Sequence, residues 1–101
     1  MKLVDICNVI RSKNSGPFEL TFDIIFKSKK DFDYVCERKI INEDLFCSLY
    51  KIRKEDIINI VGFNSANAIK ITIKRPIASG TLGEGDVYGA QQHVPLLNIE
   101  I

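Results

Sequence analysis

The 101-residue sequence lacks several features that would assign it to a well-known class of protein. Its three cysteines form no C-x-x-C pair, and their odd number argues against both a disulfide framework and a zinc clip. No apolar run is long enough to cross a bilayer, and Met1 and Lys2 lead directly into amphipathic chain without a signal peptide. The sequence therefore predicts a cytoplasmic protein with reduced thiols.

A large net charge is also missing. The formal net charge is +1, which predicts no strong attraction to nucleic acid or to a membrane surface. The glycine-rich stretch 80–85 lacks the G-x-G-x-x-G spacing and a following helix, so it is not a dinucleotide fingerprint. Glu84, Asp86 and His93 have no paired His or Cys at the spacing of a metal site, and no metal is predicted.

The composition is typical of one compact soluble domain covering residues 1–101. Hydrophobic residues make up 46% of the chain and charged residues 27%, as in ordinary globular proteins. A chain of this length buries roughly two-thirds of the surface that its unfolded form exposes, which is enough for one core.

Strands are predicted where apolar residues alternate with polar ones. The stretch FELTFDIIF (18–26) places five large apolar residues on one face: Phe18, Leu20, Phe22, Ile24 and Phe26. The stretches 57–63 and 68–74 flank NSAN (64–67), whose turn chemistry predicts a hairpin. The chain closes with PLLNIEI, which predicts an edge strand after Pro95.

Two short helices are predicted between these strands. In residues 31–40, Phe32, Val35, Cys36 and Ile40 recur at helical spacing after the charged step KSKKD. A second helix follows Asn42, a candidate N-cap, with Ile41 and Phe46 at the positions of a hydrophobic staple. Its predicted inner stripe consists of Leu45, Phe46, Leu49 and Tyr50.

Residues 3–11 fit either a helix or a strand, and a strand entered through a helical turn agrees with both patterns. The order of elements then predicts an α+β fold, with two short helices on one face of a mainly antiparallel sheet.

Two polar stretches are candidates for function. The first, RSKNSG (11–16), brings together Arg11, Ser12, Lys13 and Asn14 before the clearest strand. Arginine can hold a carboxylate or phosphate with two parallel hydrogen bonds, and lysine adds a point charge. The same residues also suit an ordinary solvated turn.

The second stretch, GDVYGAQQHVPLL (85–97), contains the only histidine of the chain. His93 is a candidate general acid or base because imidazole titrates near neutral pH. Gln91 and Gln92 are candidates for holding a carbonyl or carboxylate, and Asp86 and Tyr88 for orienting the imidazole. A structural histidine beside Pro95 at the end of the chain is the alternative.

The stretches IRSKNSGPFELTFDIIF, AIKITIKRPIASG and DVYGAQQHVPLLNIEI closely resemble a bacterial family known chiefly as a domain of unknown function. That family is similar to the small ferredoxin-like domain that accompanies acyclic terpene utilisation protein A. The resemblance implies a ferredoxin-like α+β fold and a larger partner protein of the acyclic terpene utilisation type. That partner would act on carboxylic acids or their coenzyme A esters.

The resemblance and the polar stretches favour an accessory subunit that docks on such a protein and contributes a polar, anion-binding site. The alternatives are a self-sufficient small lyase, isomerase or hydratase that uses His93 as acid–base, or a sensor of an acidic metabolite. The accessory role predicts an exposed apolar patch or a flat sheet edge. The enzyme predicts a closed pocket containing both polar stretches. The expected ligand is a carboxylate or an acyl-coenzyme A. The sequence does not specify a cofactor, and it leaves homo-oligomerisation open.

Overall fold

A computed structural model describes residues 1–16, 18–74 and 93–101. Its strands and α-helices are β1 Cys7–Gly16, β2 Glu19–Phe26, α1 Lys29–Glu37, α2 Glu43–Tyr50, β3 Ile57–Phe63 and β4 Ala68–Lys74. Short 3₁₀ turns cover Leu3–Ile6, Lys54–Asp56, Asn64–Ala66 and Val94–Leu96. The strands form one antiparallel sheet in the order β1-β2-β4-β3. This is the predicted α+β, ferredoxin-like class.

The core lies between the helices and one face of the sheet. Leu20, Phe22, Ile24 and Phe26 alternate along β2 and are buried on that face. The Phe22 ring centroid lies 5.3 Å from that of Phe46 in α2, and the Phe26 centroid lies 6.0 Å from that of Phe32 in α1. Both helices therefore cover the same face, as the sequence predicts.

The hairpin of β3 and β4 has the predicted bounds, and its turn ends at Asn67, which adopts a left-handed conformation (φ 51°). The prediction for Phe18 is wrong. β2 begins at Glu19, and Phe18 lies in the turn before it with 61% of its surface exposed. The alternation continues to Phe18 in sequence, but the chain leaves the sheet there.

The helices begin at side-chain caps. Ser28 caps α1 by accepting a hydrogen bond from the Asp31 amide, so the helix starts at Lys29, before the predicted first turn, and ends before Ile40. Asn42 caps α2 as predicted, with its Oδ1 2.8 Å from the Leu45 amide nitrogen. Lys39, after α1, and Lys51, at the end of α2, are left-handed (φ 52° and 54°).

The terminal segments lie beside each other. The first segment is a 3₁₀ turn that leads into β1, which resolves the ambiguity of residues 3–11. The predicted C-terminal edge strand is wrong: Pro95 lies in a 3₁₀ turn, and one isolated bridge joins Glu100 to Lys2. The Leu3 amide donates to the Ile99 carbonyl at 2.8 Å. None of the described helices is both long and apolar enough to cross a membrane.

Candidate functional site

The stretch RSKNSG lies within strand β1 rather than in a turn, which corrects that part of the sequence interpretation. Because side chains alternate along a strand, the four candidate residues point to two faces. Ser12 and Asn14 pair with Phe22 and Leu20 on the face that the helices cover. Arg11 and Lys13 lie on the opposite face, where both are exposed.

Arg11 forms an ion pair across the sheet. Its Nε lies 3.0 Å from the Asp23 Oδ2, and the two residues are direct neighbours in the register of β1 and β2. Asp23 also stands opposite Lys70 of β4. Part of the hydrogen-bonding capacity of Arg11 is therefore already used, whereas Lys13 has no ion-pair partner within the described ranges.

Ser12 and Asn14 line the helix-covered side of the edge strand. Ser12 is buried and Asn14 half-buried, and both have interaction partners. Tyr50 of α2 lies over the neighbouring Phe22, with ring centroids 5.0 Å apart. Burial raises the pKa of the Tyr50 phenol above its ordinary value of 10.0, so the hydroxyl stays protonated and can donate a hydrogen bond at neutral pH.

His93 begins the last described segment. Its carbonyl accepts a hydrogen bond from the Leu96 amide at 2.9 Å, and Leu96 is fully buried in the core. The imidazole is half-buried, and its Nδ1 is buried with no hydrogen-bond partner among the described residues. Buried ring nitrogens are normally paired, and because this atom is enclosed, the ring would have to reorient before a partner from outside the chain could reach it.

Asp86, Tyr88, Gln91 and Gln92 lie outside the described residues. The convergence of His93 with Arg11 and Lys13 on one site stays a prediction. The C-terminal residues pack beside the turn that precedes β1, which places His93 on a segment next to that strand's entry.

An exposed aromatic residue adjoins the first polar stretch. Phe18 lies between β1 and β2, next to the end of the strand that carries Arg11 and Lys13. A large exposed ring near cationic side chains has the composition of a protein-binding surface, in which aromatic residues and arginine are enriched.

Sequence reasoning missed a second surface, at the β3 edge. Ile58, Val61 and Phe63 are 45%, 39% and 45% exposed. Beside the strand lies an open groove of about 330 Å³, lined by Lys39, Ile41, Asn42, Glu43, Ile57, Ile58, Asn59 and Ile60. The run IINIVGF contains no charged residue, and this was the signal that could have identified an unprotected edge.

Two thiols are kept protonated by their surroundings. The pKa of Cys7 is raised from 9.0 to about 12, chiefly by burial and also by Asp31, while Lys27 opposes the effect. Burial, with Asp33 and Glu37, also raises the pKa of Cys36. Since the thiolate is the nucleophile, neither residue is prepared for nucleophilic chemistry.

Comparison with protein families gives one match to nearly the entire chain. The family model described as Domain of unknown function (DUF4387) matches residues 3–100. No curated protein and no solved structure matches the chain.

Proposed function

The chain belongs to the family described as Domain of unknown function (DUF4387), and from this premise we propose that it is an accessory subunit. It docks in the cytoplasm on a larger catabolic protein of the acyclic terpene utilisation type. That protein acts on carboxylic acids or their coenzyme A esters, and the subunit contributes an anion-binding half-site. Lys13, the remaining donors of Arg11, and His93 are its functional groups.

The observation that carries this proposal is the openness of the cationic face of β1. The Arg11 side chain is 59% exposed, and Lys13 is exposed as well. Ligand sites usually bury most of their ligand, and an ion pair in open water contributes about 1 kcal/mol or less. An anion held by these two side chains alone would bind weakly. A second protein surface that covers them would exclude water and complete the site.

Two further observations support docking, one of them at this end of β1. Phe18 offers a large apolar ring at the end of the same strand. The buried Nδ1 of His93 has no partner in the described part of the chain, so docking or ligand binding that reorients the imidazole would satisfy it.

The test is native mass spectrometry of the full chain co-expressed with a terpene-utilisation-type protein from the same organism. We expect a stable complex with the unmodified chain and its loss with Phe18→Ser. Phe63→Ser provides the matched control, since it removes an exposed phenylalanine from the other edge of the sheet. Absence of any complex, or equal loss with both variants, would contradict docking at β1.

A second measurement tests the half-site in the purified complex. Lys13→Ala is expected to lower turnover of a carboxylic acid or its coenzyme A ester about tenfold, because a charge-assisted hydrogen bond is lost. Lys70→Ala, on the same face but on the far side of Asp23, is the control and should have little effect. His93→Ala should keep the far-ultraviolet circular dichroism spectrum and abolish activity. Turnover by the subunit alone would instead establish the small enzyme.

A further inference from the structure

The second edge of the sheet, β3, has the features of a strand that pairs with another strand. In the part of the chain that the structure describes, β4 is the strand paired with β3, and the other side of β3 is open. An edge strand presents unpaired amide and carbonyl groups, and proteins usually protect such edges with lysine, proline or a short length. β3 has seven residues, of which none is charged and none is proline.

We propose that β3 pairs antiparallel with β3 of a second copy of this chain, which joins two sheets into one of eight strands. This assembly is independent of the docking proposed for the β1 edge. Two-fold dimers are the commonest protein oligomers, and their contacts require a surface that is complementary to itself.

The register of β3 supports a two-fold axis at Val61. Asn59, Val61 and Phe63 pair with β4 residues on the face away from the helices, whereas Ile60 and Gly62 lie on the helix side. Centring the contact on Val61 keeps these faces matched. Val61 then meets Val61 of the second copy, Phe63 meets Asn59, and Ile60 meets Gly62.

Charge repulsion does not oppose the pairing of β3 with a second β3. No charged side chain of β3 opposes its own copy, because residues 57–63 contain none. The nearest outer-face charge is Lys70, one strand inward and opposite Val61. The two copies of Lys70 would be separated by three strand spacings, roughly 14 Å, which exceeds the Debye length of about 8 Å at physiological salt.

The size of the contact predicts a weak dimer. With the axis at Val61, residues 59–63 of each β3 pair with each other, and this five-residue contact is smaller than a standard protein interface, as in transient assemblies. We expect a dissociation constant on the order of 0.1 mM. The measurement is therefore sedimentation velocity of the full chain over protein concentrations from about 10 µM to 1 mM, which bracket this expected constant.

Val61→Lys is expected to make the chain monomeric throughout this range, because two ammonium groups would meet at the axis. Ser15→Lys adds the same charge to an exposed position of β1 and should dimerise like the unmodified chain. The proposal is overturned if the unmodified chain stays monomeric at 1 mM. It is also overturned if Val61→Lys still dimerises.

Val61→Cys keeps the proposal testable if Val61→Lys fails to fold. Directly opposed residues of an antiparallel pair have Cα atoms about 4.5 to 5.5 Å apart, within the range that a disulfide spans. Oxidation with copper phenanthroline should cross-link Val61→Cys into a covalent dimer, and should leave Ser15→Cys and the unmodified chain as monomers. No excess cross-linking of Val61→Cys contradicts the proposed axis. Binding of the larger protein that requires Val61, with no self-association, would assign the edge to that protein and exclude the second copy.

Discussion

β1 and β3 are the two edge strands of one sheet, but their exposed residues differ in kind. β1 carries Arg11 and Lys13 on its open face and has register shifts near both ends. β3 exposes Ile58, Val61 and Phe63, carries no charge and has one register shift, between Ile57 and Asn59, outside residues 59–63. Charged side chains and bulges discourage the addition of another strand, whereas an uncharged apolar edge permits it. The two edges therefore present different chemistry: cationic side chains at β1, and an uncharged, mainly apolar strand at β3.

Both edge strands need the folded sheet, and the substitution with the largest expected effect destabilises the whole fold. Phe22→Ala deletes a fully buried ring of β2 that contacts Phe46 and Tyr50, and should lower the free energy of unfolding by about 3 to 5 kcal/mol. Urea denaturation followed by circular dichroism measures this loss. Phe18→Ala is the control, and should change stability by about 0.5 kcal/mol or less because Phe18 is exposed. Equal losses would contradict the placement of the two rings.

At alkaline pH, stability should depend on a side chain of β1 and on none of β3. The Cys7 thiol at the start of β1 has its pKa raised from 9.0 to about 12, chiefly by burial, whereas β3 contains no titratable side chain. Between these values the unfolded chain loses the Cys7 proton first. The contribution of Cys7 to the free energy of unfolding is therefore fully present below pH 9 and is lost as pH rises toward 12. Cys7→Ala should reduce the slope of unfolding free energy against pH, measured by urea denaturation. Part of this slope should remain in Cys7→Ala, because the pKa values of Tyr50 and Cys36 are also raised.

A smaller effect is expected at the groove beside β3. Asn42→Ala removes the side-chain cap of α2 and the hydrogen bond from Asn42 Nδ2 to the Lys39 carbonyl at 2.7 Å. We expect a loss of about 1 kcal/mol in the free energy of unfolding. Amide hydrogen exchange should show faster exchange in the first turn of α2, with β1 unaffected. Ser48→Ala, at an exposed position of the same helix, serves as the control.

The smallest effect is expected from the ion pair of β1. Arg11→Ala should lower the free energy of unfolding by about 1 kcal/mol or less, because the Arg11 side chain of the pair is 59% exposed, although that of Asp23 is only 18% exposed. The difference should shrink as salt is added. Lys13→Ala, which removes a cation without an ion-pair partner in the described ranges, should have less effect in the same titration. A salt-independent loss for Arg11→Ala would indicate that packing, rather than charge, is what it contributes.

Regular alternation and capping were sufficient to predict most of the sheet and helices. Ile69, Ile71 and Ile73 alternate with polar residues, and β4 follows them; Asn42 begins α2 because its side chain satisfies a free amide. Phe18 continued an alternating pattern but lies beyond the last pair of β1 with β2, Gly16 with Glu19. The alternating pattern of β2 therefore did not show where its pairing with β1 stops.

The candidate site was harder to predict than the fold. Arg, Ser, Lys, Asn and Gly suit a turn by local preference, but β1 extends through them because β2 provides a partner for each of residues 11–14. The prediction of a C-terminal strand was wrong for the opposite reason, since the bridge from Glu100 to Lys2 is the one strand-like pairing of this segment within the described ranges. Local composition could identify these residues as polar, but pairing decided which face each of them occupies.

The two left-handed lysines, Lys39 and Lys51, have a consequence for how the helices are terminated. Glycine adopts this conformation without a steric penalty, so a lysine there stores strain that glycine would release. Its charge lies at the negative end of the helix dipole and offsets part of that strain. The boundaries of α1 and α2 are thus maintained by ionic attraction as well as by backbone shape, and concentrated salt would weaken one of these two restraints and leave the other.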